Sequence, residues 1–211
     1  MDYRAVIFDL GGVVMSSPLH AIARYEHHQG IPQGFINRVV VDTGPSGAWS
    51  RLERGELPIE RFFAEFDRDC REAGQTISAR DMMARIAEGS GPRPQMLAAI
   101  RTLRDRGLRV AALTNNWASE ERPEARSTDL RPLFHVFVES SVIGLRKPDP
   151  RIYLHACAEL DVEPRVAVFL DDIGRNLKTA RQLGMTTIKV DDPDVALDEL
   201  EAVLGFDLRP S

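Results

Sequence analysis

The 211-residue chain is short of cysteine, of long apolar runs and of surplus positive charge, and each shortage removes a class of answer. It has two cysteines, Cys70 and Cys157, and neither sits in a metal-type spacing. A disulfide framework is therefore not expected, and a reducing cytoplasm is. No apolar stretch approaches the length of a membrane span. Lys and Arg number 27 against 32 Asp and Glu, a formal net charge of −5. That balance leaves no cationic footprint for nucleic acid or for an anionic membrane. Met1 to Arg4 runs straight into an apolar stretch, so a signal peptide is not expected. There is no repeat and no low-complexity segment. Hydrophobic residues at 43% and charged residues at 28% are ordinary for a globular chain. The length suits one domain, or a core carrying one insert. A small-molecule partner is the expectation, and either a monomer or a homodimer.

The chain is organised around Ala5-Val-Ile-Phe-Asp-Leu-Gly-Gly-Val-Val14. Ala5 to Phe8 is apolar without alternation, the pattern of a parallel strand covered on both faces. Such a strand delivers Asp9 to its C-terminal end, where ligands bind in open parallel sheets. Gly11 and Gly12 follow, and glycine permits a tight turn and a close approach of backbone to ligand.

From Val14 onward the periodicity is helical for roughly 75 residues. Phe35, Ile36, Val39 and Val40 recur at helical spacing, as do Ile59, Phe62, Phe63 and Phe66. Ser78-Ala-Arg-Asp81 is a capping-box pattern that opens a helix carrying Met82, Met83 and Ile86. Breaks fall at Gly30-Ile-Pro32, at Thr43 to Gly47 and at Gly89-Ser-Gly-Pro92, the last reading as a hinge. An all-helical insert over 16–91 is thus expected between two parts of a core, 1–15 and 92–211. After Pro94, helices alternate with short strands at Val110–Leu113, Val136–Val138, Val166–Leu170 and Thr186–Val190. Asp149-Pro150 and Asp194 are placed to cap helices. This alternation predicts an α/β fold, a doubly wound parallel sheet with right-handed crossovers.

Parallel strands bring their C-terminal ends to one edge, so Asp9, Thr114-Asn115, Lys147 and Asp171-Asp172 can converge. Carboxylates without a His or Cys cluster suit a hard cation with oxygen ligands, and Mg2+ is the natural choice. A lysine and a hydroxyl beside them suit a phosphoryl group. One carboxylate can then attack phosphorus and form an aspartyl-phosphate that water hydrolyses.

Asp9-Leu-Gly-Gly-Val-Val14, Leu113-Thr-Asn-Asn116, Arg146-Lys-Pro-Asp-Pro150 and Phe169-Leu-Asp-Asp172 with Asn176 resemble the four motifs of the haloacid dehalogenase (HAD) superfamily, in that family's order. The helical insert sits where the family's C1 cap does. The longer runs, through Trp117, Tyr153 and Leu177, are similar to the phosphatase domain of soluble epoxide hydrolase and to domains fused to some acyl-CoA dehydrogenases. The resemblance implies a Rossmann-like core and a set of roles. Asp9 is then nucleophile and Mg2+ ligand, and Gly11 is a ligand through its backbone carbonyl. Thr114 and the backbone after it hold phosphoryl oxygens, with Asn115 nearby. Lys147 neutralises the phosphate and orients Asp9. Asp172 is the favoured direct metal ligand, with Asp171 in support. Trp117 and Gly12 are candidates for the substrate pocket.

One position departs from the pattern. Family phosphatases carry Asp two residues after the nucleophile as general acid and base, and here that residue is Gly11. General acid–base help is typically worth ~10²–10⁴ in rate, so a slow enzyme is one expectation. Glu26, His27, His28 or an ordered water can be imagined in its place. The leading expectation is a Mg2+-dependent phosphatase of a small organic phosphate. The alternatives are an impaired member that binds a phosphorylated ligand without turnover, and a haloacid dehalogenase. The Phe62, Phe63, Phe66 stripe reads as insert core rather than pocket. His20, His27 and His28 read as surface, and Trp49 with Arg51 and Arg54 as a low-priority pocket mouth.

Overall fold

The computed structural model describes residues 2–89, 91–117 and 128–209; Ser90 of the expected hinge lies outside them. The first strand, β1 (Ala5–Phe8), is wholly buried, as an unalternating apolar run must be. Five helices follow: α1 (Pro18–His28), α2 (Phe35–Asp42), α3 (Ala48–Glu53), α4 (Ile59–Glu72) and α5 (Ala79–Glu88). The chain then alternates through α6 (Pro94–Asp105), β2 (Arg109–Thr114), β3 (Val136–Glu139), α7 (Ser140–Ile143), α8 (Pro150–Glu159), β4 (Ala167–Asp171), α9 (Gly174–Gln182), β5 (Thr186–Lys189) and α10 (Pro193–Leu204). All five strands are parallel in the order β3-β2-β1-β4-β5. Among the described residues no helix is long and apolar enough to cross a membrane.

The sheet is covered on both faces. Val6, Phe8, Val110, Ala112 and Leu170 face α6 and α10, while Ile7, Ala111, Leu113 and Phe169 face α8 and α9. β1 is central, so its neighbours set what stands beside Asp9. β2 ends in Thr114 on one side, and β4 ends in Asp171 on the other.

The helices between β1 and α6 form a separate apolar cluster. Phe62 and Phe66 are fully buried there, stacked at 5.2 Å, and Trp49 packs edge-on against both. Burying each such side chain is worth roughly 1.5–3 kcal/mol, enough to give the insert a core of its own. The Phe stripe is therefore interior. Ser78 caps α5 by accepting the Asp81 N–H, as the capping-box pattern predicts. Glu26 is buried and accepts the N–H groups of Gly34 and Ile36, closing the start of α2. With both oxygens on backbone amides, it is no stand-in for a catalytic acid. The entry and exit segments of the insert run side by side: the Ser16 N–H reaches Gly91 C=O at 2.8 Å, and the Arg93 N–H reaches Val14 C=O at 2.8 Å.

The expected cap at Asp194 is displaced. Asp192 accepts from the N–H groups of Asp194 and Val195, and Pro193 occupies the first helical position. Proline is preorganised for that position, which fixes the cap on the residue before it.

Candidate active site

Asp9 leaves β1 into a turn that the following backbone closes. Its Oδ1 accepts the Leu10 N–H at 2.7 Å and stands 2.9 Å from Lys147 Nζ. Lys147 is buried and also donates to Asp171 Oδ2 at 2.7 Å. Burial pushes the pKa of this ammonium down, yet Asp171 and Asp9 outweigh it and hold the pKa above the ordinary lysine value. Asp9 is raised well above a normal carboxylate. Burial is the chief cause; Lys147 opposes it, and Asp171 and Asp172 add to it.

The two acids that end β4 differ sharply in how they are used. Asp171 is fully engaged: besides Lys147, it accepts the Ile173 N–H at 2.8 Å and the Asn176 amide on both oxygens at 3.1 Å. Asn176 is itself held, because the buried Tyr153 hydroxyl donates to its C=O at 3.0 Å. Among the described residues, the one side-chain hydrogen bond to Asp172 comes from the Ser17 hydroxyl, at 3.3 Å. Its pKa is pushed up to about 6 by burial and by the charge of Asp171, against Lys147 and Ser17. Asp9, Asp171 and Asp172 offer oxygens within 4.8 Å of one another. Three carboxylates thus share one ammonium, an excess of negative charge that fits a hard divalent cation. With Asp171 committed, the free oxygens belong to Asp9 and Asp172.

Comparison with known proteins follows the same line. A family model described as haloacid dehalogenase-like hydrolase matches residues 3–184. The chain belongs to this family. It is 42% identical over 211 residues to mouse acyl-CoA dehydrogenase family member 10, covering 99% of this chain and 20% of that protein. It is 35% identical over 221 residues to pig bifunctional epoxide hydrolase 2, covering 99% of this chain and 40% of that protein. The chain thus spans well under half the length of these two relatives. A phosphatase of Mycobacterium tuberculosis is 31% identical, covering 90% of this chain and 88% of its own length. Among solved structures, a HAD-like hydrolase of Porphyromonas gingivalis superposes with a TM-score of 0.69 at 23% identity, covering 97% and 98% of the two chains. A HAD enzyme of Bacteroides thetaiotaomicron, in complex with magnesium and inorganic phosphate, has a TM-score of 0.58 at 19% identity, covering 89% and 93%.

In this HAD chain the two glycines after Asp9 are not equivalent. Gly12 has φ +85°, and a β-carbon on it would stand 2.0 Å from Asp172 Oδ2. Gly12 is buried against Asp172 and is not among the residues that line the cleft, so its place in the fold is a close approach of backbone to that acid. Gly11 does line the cleft, and a β-carbon there would meet only Pro18, at 3.4 Å. Arg93 donates to Gly12 C=O at 2.9 Å and steadies the turn.

Thr114 ends β2 and is buried. Asn115 reaches the site but spends its side chain on Lys147: Oδ1 accepts the Lys147 N–H at 2.8 Å, and Nδ2 donates to the Lys147 C=O at 3.0 Å. Its side chain is thereby committed to holding the lysine backbone. Asn116 fastens the loop to the end of β3, with its N–H on Ser140 Oγ at 2.9 Å and its amide on Glu139 at 2.6 Å.

Above these groups lies a cleft of about 110 Å³ whose insert side is mostly apolar, with Leu19, Ile22, Ile36, Val40 and Trp49 joined by Asn37 and Glu53. Trp117 is absent from that lining; it packs behind Trp49 with ring centroids 6.1 Å apart. His20, His27 and His28 are exposed, and no histidine lines the cleft. Arg51 and Arg54 turn to Glu65 and Glu56, away from the mouth. Glu53, Arg146 and Arg175 also line the cleft; Arg146 opens the Arg146-Lys-Pro-Asp-Pro150 motif without a role of its own in it, and Glu53 and Arg175 carry no signal in the sequence. Arg146 stands beside a motif lysine, the one local signal that marked it.

Proposed function

We propose that this chain is a Mg2+-dependent phosphatase that cleaves a small organic phosphate monoester through an aspartyl-phosphate on Asp9, with residues 16–91 acting as its cap. The observation that carries the reading is the bridge made by Lys147. One ammonium joins Asp9 to the saturated Asp171, while Asp172 accepts a single side-chain hydrogen bond, from Ser17, among the described residues. The apolar insert wall suits a leaving group with hydrocarbon character. The names of the Mycobacterium relative and of the magnesium- and phosphate-bound neighbour agree with it.

Asp9, Asp172 and the Gly11 carbonyl would hold Mg2+, which supplies charge neutralisation for the phosphoryl oxygens as negative charge builds there. Asp9 attacks phosphorus while Lys147 holds its carboxylate in line. The ester oxygen departs and takes a proton from water, since Gly11 offers none. The hydroxide left behind takes a proton from a second water as that water attacks phosphorus, and inorganic phosphate leaves with the Asp9 carboxylate restored. Lys147 stays charged throughout, clamped from behind by Asp171. Two buried free thiols agree with a reducing cytoplasm.

The missing acid supports a second reading, a protein that binds a phosphorylated ligand and scarcely turns it over. Phosphate release from an aryl phosphate, with Mg2+ or EDTA, in wild type, Asp9→Asn and Gly11→Asp, tests both. Turnover that needs Mg2+ and Asp9 supports the phosphatase. Activity that emerges only in Gly11→Asp supports the binder, and a β-carbon at Gly11 makes only ordinary contact with Pro18, at 3.4 Å, which makes that variant compatible with folding. Silence in all three, with no Mg2+-dependent binding of inorganic phosphate, overturns both readings.

A further inference from the structure

The insert touches the core at the edge of the cleft through a buried cluster that the chemistry above does not use. Glu53, at the end of α3, accepts the Trp49 indole N–H on Oε1 at 2.9 Å and pairs with Arg146 Nη2 on Oε2 at 2.5 Å. Arg146 Nη1 donates to the fully buried Ser50 Oγ at 2.9 Å. Both side chains of the ion pair are largely buried, with 14% and 9% exposed. Nearby, α3 meets α7 so closely that a β-carbon on Gly55 would stand 2.3 Å from the Ser141 C=O.

Arg146 is joined by one peptide bond to Lys147, whose backbone Asn115 grips on both sides. Glu53 is thus ion-paired to the residue next to the lysine, while Asn115 holds the lysine backbone independently of that pair. On its other oxygen Glu53 fixes Trp49, the aromatic wall of the cleft. We propose that Glu53 is a positioning residue for this site, latching α3 of the insert to Arg146 and setting the wall against which the leaving group packs. This rests on the phosphatase reading for its kinetic part and on geometry alone for the latch itself.

A latch of this kind makes a distinctive prediction. Its loss frees the wall while leaving Asp9, Lys147 and the acids in place. Recognition of the leaving group then suffers more than the chemical step.

The chain supplies its own reporter. Its two tryptophans are Trp49 on the insert and Trp117 on the core, in edge-to-face contact at 6.1 Å across the same junction. We would compare wild type, Glu53→Gln, Arg146→Gln, the double variant and Ser50→Ala. The readouts are acrylamide quenching of tryptophan emission and near-ultraviolet circular dichroism, alongside kinetics with phenyl phosphate and naphthyl phosphate.

The expected result is that Glu53→Gln and Arg146→Gln raise quenching equally and the double variant adds nothing further, because both remove one coupling. Ser50→Ala shifts in the same direction by less. In Glu53→Gln, KM for naphthyl phosphate rises about fivefold to tenfold, kcat falls by less than KM rises, and phenyl phosphate is affected less. Unchanged quenching, additive effects in the double variant, or equal losses on both substrates would overturn the proposal. If no variant and no wild type turns over either phosphate, the phosphatase reading fails and the optical cycle still decides the latch. Should Glu53→Gln fail to fold, Ser50→Ala, a small change at one hydroxyl, carries the same test.

Discussion

Gly12 and Asp172 are so close that no side chain fits between them: a β-carbon on Gly12 would lie 2.0 Å from Asp172 Oδ2. The backbone there also has φ +85°, a region that costs an L-residue roughly 1–2 kcal/mol. Gly12→Ala is therefore expected to fold with reduced stability and to push Asp172 off its position. Mg2+ affinity measured by calorimetry should fall by at least about tenfold, the effect of losing one charged ligand contact. An unchanged affinity would remove Asp172 from the metal site. Gly11→Ala, by contrast, meets only Pro18 and should leave the melting temperature close to wild type.

Lys147 is a buried cation held by two carboxylates. Replacing it with Met keeps volume and removes the charge, leaving Asp9 and Asp171 facing each other without compensation. Breaking a buried pair in this way typically costs about 3–5 kcal/mol. Because the folded pKa of Lys147 is raised, its stabilisation is complete below the unfolded lysine value of 10.5 and fades only as pH rises through the folded value. Wild type should thus show no loss from this group at neutral pH. Lys147→Met should melt far lower at neutral pH and recover part of the deficit in mild acid, where the carboxylates protonate. Denaturation at two pH values distinguishes this from a simple packing defect, which would be pH-independent.

Asn115 makes a reciprocal pair of hydrogen bonds to the Lys147 backbone, at 2.8 and 3.0 Å. Each such bond contributes about 0.5–1.5 kcal/mol net, and an unsatisfied buried group costs more. Asn115→Ala should lower stability by about 1–3 kcal/mol by the same reckoning. If the lysine clamps substrate, kcat and kcat/KM should fall together, as for an interaction felt in the transition state. A rise in KM alone would instead make Asn115 a direct phosphate ligand.

The reach of the sequence follows from which interactions are local. The strands were legible because each is a short unalternating apolar run, and the site edge followed from parallel topology. Asp9, Lys147 and Asp171-Asp172 converge because the topology puts strand ends together. The division of labour between Asp171 and Asp172 was less visible, since it depends on Asn176 and on Tyr153 behind it. The pairing of Glu53 with Arg146 was hidden for the same reason: they lie 93 positions apart and meet only when the insert packs on the core. The cap of α10 was misplaced by two residues because Asp191-Asp-Pro-Asp194 offers several acids, and the proline decides among them.

The apo site should be most comfortable in mild acid. The Asp172 carboxyl has a folded pKa of about 6 against an ordinary 3.8, with burial as the main cause. A raised carboxylate means that the folded state binds more protons than the unfolded state between those values. Stability from this group accordingly falls as pH rises through that window and is fully lost above it. Asp9, shifted in the same direction, adds to the trend. A divalent cation at the free oxygens reverses it by favouring the charged form, and protons compete with the metal for the same atoms. The gain in melting temperature on adding Mg2+ should therefore be small near pH of about 4.5 and grow to a plateau by about 7.5, following the deprotonation of these acids. Melting scans with and without Mg2+ across that range check it. A gain independent of pH would mean that the cation binds elsewhere, away from Asp9 and Asp172.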